Sequence, residues 1–163
     1  LGTIGWDQVK FNTRRIRLGI GQSLTFNGVA QGFATDIVAE VLAAHGLTDV
    51  LINIGEHRGQ GGPWKLALHD PVHGALGTRT LTTGAIATSS PRATMLGENG
   101  HILHRSAQPQ WSTVSVEAPS ATLADSVSTA MVLASRDEIE EIRSKTDITR
   151  ITLVGHDGDL ITL

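Results

Sequence analysis

The sequence predicts an α+β domain in which helices pack on a sheet, and three observations lead to this fold class. Short runs of alternating or continuous apolar residues, typical of strands, recur along the chain. Two longer segments repeat apolar residues every three or four positions, as amphipathic helices do. The chain has 163 residues, of which 40% are hydrophobic and 18% charged. This suits one domain with a core and excludes a disordered chain.

The N-terminal segment predicts strands ahead of the first helix. Polar and apolar residues alternate over 9–11 and 16–18, on either side of a turn at Asn12 and Thr13. A third strand is predicted near 23–26. We therefore expect a small β structure at the start of the domain.

The first helix is predicted from Val29 to His45, where Gly46 supplies a left-handed end. Its apolar stripe consists of Ala30, Phe33, Ala34, Ile37, Val38, Val41 and Leu42. The continuous apolar run at 50–54 predicts a strand buried on both faces, so that a helix layer packs on a sheet. The glycine-rich run at 59–63 predicts a loop.

The rest of the chain predicts further strands and two more helices. Strands are predicted at 64–69, 78–82, 85–88, 101–104 and 112–116. Ser120 predicts the N-cap of a second helix. The apolar stripe of that helix consists of Leu123, Val127, Ala130, Met131 and Ala134. A short third helix is predicted at 137–145, and the segments 151–154 and 160–163 predict a hairpin with its turn at 157–158.

Charge and cysteine content exclude several classes of function. The 13 basic and 16 acidic residues leave a formal charge of −3, so the sequence predicts no general nucleic-acid binding. Cysteine is absent, which excludes disulfides, thiolate metal sites and cysteine nucleophiles. No apolar run approaches the roughly 20 residues that span a bilayer. Residues 1–6 lack the pattern of a signal peptide and an initial Met, so we expect a chain processed or excised from a longer one.

Asp125 and Thr129 are the first candidate site residues. They lie four positions apart on the second predicted helix, hence on one face, away from its apolar stripe. A carboxylate and a hydroxyl are oxygen ligands of the kind that Mg²⁺ prefers. The alternative is that Asp125 favours the N-terminal end of its own helix and that Thr129 bonds back to a carbonyl. Both interpretations are open on these residues alone.

The histidines and glycines give weaker signals. Pro71 breaks the helix that would bring His69 and His73 together, and a strand would point His101 and His104 to opposite faces. We therefore expect scattered surface histidines instead of a zinc site, any one of which can act as a base or hold a phosphate. The glycine-containing turn at 26–32 leads into a helix, whose first N–H groups form an anion site.

Six segments, taken in order, carry a family resemblance. They are Asn27 to Asp36 (NGVAQGFATD), Asn53 to Glu56 (NIGE), Pro63-Trp64 leading to Asp70-Pro71, Ala85 to Ser89 (AIATS), Ser112 to Val116 (STVSV) and Ala121 to Ala130 (ATLADSVSTA). In order and spacing they resemble the ApbE family of FAD:protein FMN transferases. Five of the six have family counterparts that read GGIAKGYAVD, NxGG, ATSG, SVTV and ADALATA. The resemblance covers about residues 6–163.

The resemblance implies a fold and a function. The fold is an α+β architecture of the T-fold type, with a mixed or antiparallel sheet and helices packed on it, as a single domain over 1–163 that lacks the family's N-terminal portion. The function is Mg²⁺-dependent transfer of FMN from FAD to a threonine of an acceptor flavoprotein, with release of AMP, in the periplasm or at the outer side of the inner membrane. The alternatives are a flavin-nucleotide binding domain without catalysis and a structural or interaction domain. Besides FAD and the acceptor flavoprotein, the expected partners are the missing N-terminal segment or further copies of the chain in a homo-oligomer.

The resemblance also implies roles for particular residues. The metal ligands would be Asp125, Thr129 and the backbone carbonyl of Ala30. The flavin nucleotide site would be lined by Asn53, Gly55, Glu56, Thr88 and Ser89. His101 falls where the family has the histidine of its HIIDP segment, which is implicated in the transfer. Either His101 or Asp125 would take the proton of the acceptor hydroxyl.

The sequence departs from the family pattern in three places. Gln31 replaces the usual Lys, and Glu56 replaces the second Gly of NxGG. Both changes leave room for nucleotide binding. Residues 104–106 stand where Asp-Pro-Arg/Thr is usual. This last change alters the loop beside His101 and favours the alternative of binding without catalysis.

Overall fold

The structure is a computed structural model that describes residues 5–163, so the first four residues of the predicted domain lie outside it. The strands are β1 (Lys10–Asn12), β2 (Arg15–Arg17), β3 (Val50–Asn53), β4 (His57–Gln60), β5 (Trp64–Asp70), β6 (Gly74–Leu81), β7 (Gly84–Ser89), β8 (Met95–Leu96), β9 (Asn99–Gly100), β10 (Thr113–Ala118), β11 (Arg150–Val154) and β12 (Leu160–Thr162). The helices are α1 (Ala30–Ala44), α2 (Ala121–Met131) and α3 (Arg136–Ser144), with a 3₁₀ turn at Pro91–Ala93.

A six-stranded sheet forms the centre of the molecule, in the order β12-β11-β10-β7-β4-β3. The pairs β1-β2, β5-β6 and β8-β9 form separate two-stranded ribbons. Every strand pairing within residues 5–163 is antiparallel. The predicted α+β class with an antiparallel sheet and packed helices is therefore confirmed.

The main core lies between the central strands and the helices α2 and α3. Its largest fully buried side chains include Val114 and Val116 of β10, Ile151 of β11, Met131 of α2 and Ile139 of α3. A smaller cluster of Leu66, Leu68, Leu81 and Ile86 lies under the β5-β6 ribbon. Apolar burial of this kind is the main favourable contribution to folding. None of the helices in this described part is both long and apolar enough to cross a bilayer.

Helix α1 packs through small residues, not through its predicted apolar stripe. Its buried residues are Gly32, Thr35 and Ala39. A Cβ atom on Gly32 would lie 2.3 Å from the Ala121 carbonyl oxygen of α2, so the two helices approach closely at this glycine. As a result Phe33, Ile37 and Val41 of the predicted stripe are 58%, 43% and 52% exposed. The helix itself was predicted correctly, but its packing face was not.

The buried face of α2 also differs from the prediction. The residues that are buried are Ala121, Ala124, Asp125, Ser128 and Met131. The predicted stripe residues Leu123 and Val127 are half-buried and Ala130 is exposed. The reason is that α2 packs between the sheet and α1, and it presents small and polar residues to α1. The N-cap is as predicted, because the Ser120 hydroxyl accepts a hydrogen bond from the Leu123 N–H at 3.2 Å.

The strand at 50–54 was predicted to be buried on both faces, and this is wrong. Strand β3 is an edge strand that pairs with β4 alone, and Ile52 is its buried residue. The predicted loop at 59–63 is also wrong in part, because β4 extends through Gln60 and pairs with β7. The sequence of β4, HRGQ, has no apolar alternation, so no periodicity marks it as a strand.

Two further predicted strands do not form. Residues 23–26 and 101–104 have no strand conformation. In place of the second, a tight hairpin of β8 and β9 precedes residue 101, with Gly97 at a φ of 64°. The terminal hairpin of β11 and β12 and the hairpin of β1 and β2 are as predicted. The third helix begins one residue early, at Arg136, behind a capping box formed by Ser135 and Glu138.

Candidate functional site

A cleft of about 540 Å³ opens where the N-terminal end of α1, the middle of α2 and the C-terminal end of β7 meet. Six of the predicted site residues line it: Glu56, Thr88, Ser89, His101, Asp125 and Thr129. The structure therefore brings together residues that lie up to 73 positions apart in the chain. Ala30, Asn53 and Gly55 do not line the cleft.

Helices α1 and α2 each place a carboxylate at the N-terminal end of the other. Asp125 of α2 accepts a hydrogen bond from the Gly32 N–H, in the first turn of α1, at 2.8 Å. Asp36 of α1 accepts from the N–H groups of Ala121 and Thr122, at 2.9 and 2.8 Å. First-turn N–H groups have no partner within their helix, and the helix dipole favours an anion there. This reciprocal capping fixes Asp125 at the base of the cleft.

Asp125 is buried, with 5% exposure. Burial raises the pKa of its carboxyl group, while the hydrogen bond from Gly32 lowers it. The interpretation that Asp125 merely favours the start of its own helix is not supported, since it is the fifth residue of α2 and its partner belongs to α1.

Thr129 lies one helical turn after Asp125 and faces the end of β7. Its hydroxyl oxygen is 3.1 Å from the Ser89 hydroxyl oxygen, which is in turn 2.8 Å from that of Ser128. Ser126 and Ser128 are the residues of α2 seen to bond back to carbonyls of the helix, since their hydroxyl groups donate to the Leu123 and Asp125 carbonyls, both at 3.0 Å. The hydroxyl groups of Thr129 and Ser89 thus form one polar wall of the cleft.

Glu56 adds a second carboxylate to the cleft. Its side chain is 8% exposed and accepts a hydrogen bond from the Thr88 N–H at 3.2 Å. Burial, and then the negative charge of Asp125, raise the pKa of Glu56 to about 8, although the bond from Thr88 lowers it. Two carboxyl groups that oppose each other's ionisation are typical of a site that receives a cation or a proton.

The turn after β3 supports the cleft from behind. Asn53 accepts a hydrogen bond from the Gly55 N–H at 3.3 Å. Gly55 has a φ of 102°, and a Cβ on it would lie 2.7 Å from the Gln31 side-chain nitrogen. Glycine is therefore needed here for conformation and for space. Asn53 and Gly55 shape the turn that carries Glu56 and supports Gln31, which itself lines the cleft.

The carbonyl of Ala30 is the least supported of the predicted metal ligands. Ala30 is the first residue of α1, next to the cleft-lining Gln31. Ala30 is adjacent in sequence to a cleft-lining residue, but it does not itself line the cleft. Its assignment as a ligand stays a prediction.

His101 lies in the loop after β9, at the mouth of the cleft. Its Nδ1 is 3.0 Å from the Pro91 carbonyl oxygen, and its backbone N–H donates to the same oxygen at 3.1 Å. Because a carbonyl only accepts, Nδ1 carries the hydrogen and Nε2 of the neutral ring is left as a base. The side chain is exposed, so this nitrogen is accessible.

The donor set of the cleft fits a hard cation. The carboxylates of Glu56 and Asp125 and the hydroxyl groups of Ser89 and Thr129 are all oxygen donors, which suit Mg²⁺. Across residues 5–163, no cluster of three or more His, Cys, Asp or Glu side chains is placed to hold a metal ion. Protein carboxylates alone therefore do not complete an octahedron, and phosphate or water oxygens would have to do so.

Asp36 supports the site but is not among the residues that the sequence predicts for it. Besides capping α2, it accepts a hydrogen bond from the Thr122 hydroxyl at 2.6 Å and pairs with Arg58 at 3.1 Å. Its partners on α2 lie 85 and 86 positions away in sequence. The one available signal was its place at the end of the NGVAQGFATD segment.

Comparisons with known proteins place the chain in a family. The sequence model of the ApbE family matches residues 1–152. FAD:protein FMN transferase of Rhodobacter capsulatus is 26% identical over 174 aligned positions, which cover 97% of this chain and 32% of the relative. The protein of the same name from Haemophilus influenzae is 22% identical, over 98% of this chain and 53% of the relative. The chain thus spans 32% and 53% of the length of these two relatives.

Solved structures show the same fold. The ApbE protein of Thermotoga maritima superposes with a TM-score of 0.83 at 22% identity, over 98% of this chain and 58% of its own. The flavin transferase ApbE of Vibrio cholerae gives a TM-score of 0.79 at 20% identity, over 99% and 57%. At these identities the structural similarity shows the fold alone.

Proposed function

This chain belongs to the ApbE family, and we propose that it serves in the Mg²⁺-dependent transfer of FMN from FAD to a threonine of an acceptor flavoprotein, with release of AMP. One observation carries the proposal above all. Asp125 of α2, buried against the first turn of α1, lines one cleft together with Glu56 and Thr129, and His101 lies at the mouth of that cleft. Such a cleft suits a pyrophosphate bound through a cation.

The binding of FAD would use the polar walls of the cleft. Asp125, with Glu56 and Thr129 beside it, would hold Mg²⁺, which when bound neutralises charge on the pyrophosphate. The hydroxyl group of Thr88 lies where it can donate to phosphate or ribityl oxygens. Ser128 donates its hydrogen to the Asp125 carbonyl, so Ser89 donates to Ser128, and the Ser89 oxygen can accept from a ribityl hydroxyl. Phosphoryl transfer depends mainly on positioning and on charge stabilisation, and the reciprocal capping of α1 and α2 provides the rigid base for both.

The chemical step moves one phosphoryl group. The hydroxyl oxygen of the acceptor threonine forms a bond to the phosphorus of the FMN half of FAD. The bond from that phosphorus to the bridging oxygen breaks, and AMP leaves with that oxygen. Nε2 of His101, which its Nδ1–H bond to Pro91 leaves free, takes the proton of the threonine hydroxyl. Asp125 is the poorer base in this proposal, since its oxygen Oδ2 is committed to Gly32.

The test is covalent modification of an acceptor flavoprotein, measured as added FMN mass by mass spectrometry. The 163-residue chain, FAD and Mg²⁺ should modify the acceptor threonine, and chelation should abolish this. Asp125→Asn should lower the rate by at least about 10²-fold, because it removes a negative charge needed to hold the Mg²⁺ that neutralises the pyrophosphate. Asp137→Asn, the same change at an exposed first-turn position of α3, should leave the rate unchanged. An Asp125→Asn variant as active as wild type would overturn the site assignment.

A flavin-nucleotide binding domain without catalysis is the second candidate. The loop beside His101 favours it, because the His104 Nδ1 accepts hydrogen bonds from the N–H groups of Ser106 and Ala107, at 3.2 and 2.8 Å. This closed turn stands where the family segment differs. FAD binding without acceptor modification would decide for this candidate, and absence of FAD binding would refute both.

A further inference from the structure

Asp70 is a fully buried carboxylate that lies outside the cleft but is connected to it. It has 0% exposure and ends strand β5. One oxygen accepts from the N–H groups of Val72 and His73, both at 2.7 Å, and so closes the turn into β6. The other accepts from the hydroxyl groups of Ser112 and Thr113 at 2.7 and 2.6 Å. The hydrogen bonds to this second oxygen come from residues outside the turn between β5 and β6.

The ionisation of Asp70 fixes the direction of these hydrogen bonds. Burial alone would raise the pKa of Asp70, but the bonds from Thr113, Ser112, His73 and Val72 together lower it to about 2. An ionised carboxylate only accepts hydrogen bonds, so the Thr113 hydroxyl must donate its hydrogen to Asp70. The Thr113 oxygen is therefore left to act as an acceptor towards any other neighbour.

That neighbour is Ser90, which lines the cleft next to Ser89. The hydroxyl oxygens of Ser90 and Thr113 are 2.6 Å apart and both residues are buried. Since Thr113 can only accept here, the Ser90 hydroxyl must donate to it. The hydrogen of Ser90 then points to Thr113, which does not line the cleft, and the Ser90 oxygen can only accept from any further neighbour.

We propose that Asp70 is a positioning residue of the cleft: acting through Thr113, it fixes the Ser90 hydroxyl as a hydrogen-bond acceptor for an N–H or O–H group of the bound flavin nucleotide. A phosphate oxygen cannot bind to Ser90 in this state, because it is itself an acceptor. The chemical groups that fit are the imide N–H of the flavin ring, a ribityl hydroxyl and the adenine amino group. The inference rests on the proposed function, because it takes the flavin nucleotide as the ligand.

A matched pair of variants distinguishes an effect on FAD binding from an effect on the stability of the fold. Ser112→Ala and Thr113→Val each remove one hydroxyl group that donates to the same oxygen of Asp70. Thr113→Val alone also removes the partner of Ser90. Valine has the shape of threonine, and Thr113→Ala is a second variant in case the added methyl group disturbs packing. Thr113→Ser keeps the hydroxyl and serves as the rescue.

The readouts are the dissociation constant of FAD, from quenching of flavin fluorescence, and the melting temperature. We expect similar losses of melting temperature in Ser112→Ala and Thr113→Val. We expect FAD binding to weaken about threefold to tenfold in Thr113→Val and Thr113→Ala, the range of one hydrogen bond. Ser112→Ala and Thr113→Ser should bind FAD within about twofold of wild type.

A double-mutant cycle tests the route through Ser90. If Thr113 acts through Ser90, Thr113→Val added to Ser90→Ala should weaken FAD binding no further than Ser90→Ala alone. Additive losses, or equal FAD affinities in Ser112→Ala and Thr113→Val, would overturn the inference while leaving the proposed function intact. Absence of FAD binding in the wild-type chain would overturn both.

Discussion

At the scale of single residues, the ionisation of Glu56 is unfavourable in the native state. Its pKa is raised from an ordinary value of 4.5 to about 8, first by burial and then by Asp125. The native state thus keeps a proton that the unfolded chain loses at lower pH. The stability associated with this proton is fully present below pH 4.5 and is lost as the pH rises from about 4.5 to about 8.

Glu56→Gln should therefore stabilise the chain in chelator at alkaline pH. We expect the variant to equal the wild type near pH 4 and to exceed it by roughly 2–4 kcal/mol at pH 8.5, because glutamine does not ionise. Urea unfolding at pH 4, 6 and 8.5 measures the difference. Glu40→Gln, the same change at an exposed position of α1, should show no such trend. A difference independent of pH would contradict the perturbed ionisation of Glu56.

His101→Ala tests the proposed base. The transfer rate should fall by roughly 10²-fold, within the usual contribution of a proton-transfer group. The melting temperature should change little, because the side chain is exposed. His156→Ala is the matched control, since the His156 ring also bonds to a proline carbonyl, that of Pro109 at 3.0 Å, outside the cleft. If the rate is retained while the melting temperature falls, His101 is a structural residue.

At the scale of elements, the site depends on how α1 and α2 are joined. Asp36→Ala should remove the carboxylate that accepts from the Ala121 and Thr122 N–H groups at the start of α2, and leave Arg58 without its carboxylate partner. We expect a loss of about 2–3 kcal/mol of unfolding free energy, more than the roughly 1 kcal/mol of an ordinary cap. Ser135→Ala, which removes the side-chain N-cap of α3, gives that reference value. A loss no larger than that of Ser135→Ala would mean that Asp36 holds no more than a helix end.

The same elements show what the sequence could predict. Local patterns sufficed for α1, for the N-cap of α2 and for the turn of the terminal hairpin, because each depends on neighbours within about four residues. The pairing of Asp125 with Thr129 also followed from helical spacing. Strand β4 escaped because its sequence has no apolar alternation. The packing face of α1 escaped because Gly32 lets α2 approach the small residues, which a hydrophobic pattern does not weigh.

The cleft itself could be predicted only through family resemblance. The contact between Asp125 and Gly32 joins residues 93 positions apart, and that between Ser89 and Thr129 joins residues 40 apart. Composition and periodicity carry no information about such contacts. The donor and acceptor directions in the hydrogen-bond chain from Asp70 through Thr113 to Ser90 depend on burial and ionisation. These can be judged only from a three-dimensional structure.

At the scale of the whole molecule, the outer face of α1 exposes a stripe of large apolar side chains. Phe33, Ile37 and Val41 recur every four residues along α1 and are about half exposed. Contiguous exposed apolar surface promotes association. The chain at raised concentration should therefore bind a hydrophobic dye and self-associate, as seen by fluorescence and by light scattering.

Phe33→Glu should reduce both effects and leave the fold intact. A charge at the centre of the apolar stripe opposes its burial against another molecule, and glutamate is a good helix former. The unfolding free energy should stay within about 0.5 kcal/mol of wild type, as for other surface changes. Leu160→Glu, at a similarly exposed leucine of the edge strand β12, controls for added charge and should leave association unchanged. If instead Phe33→Glu unfolds the chain, Phe33 packs within it, and the position of α1 against α2 described by the structure is wrong.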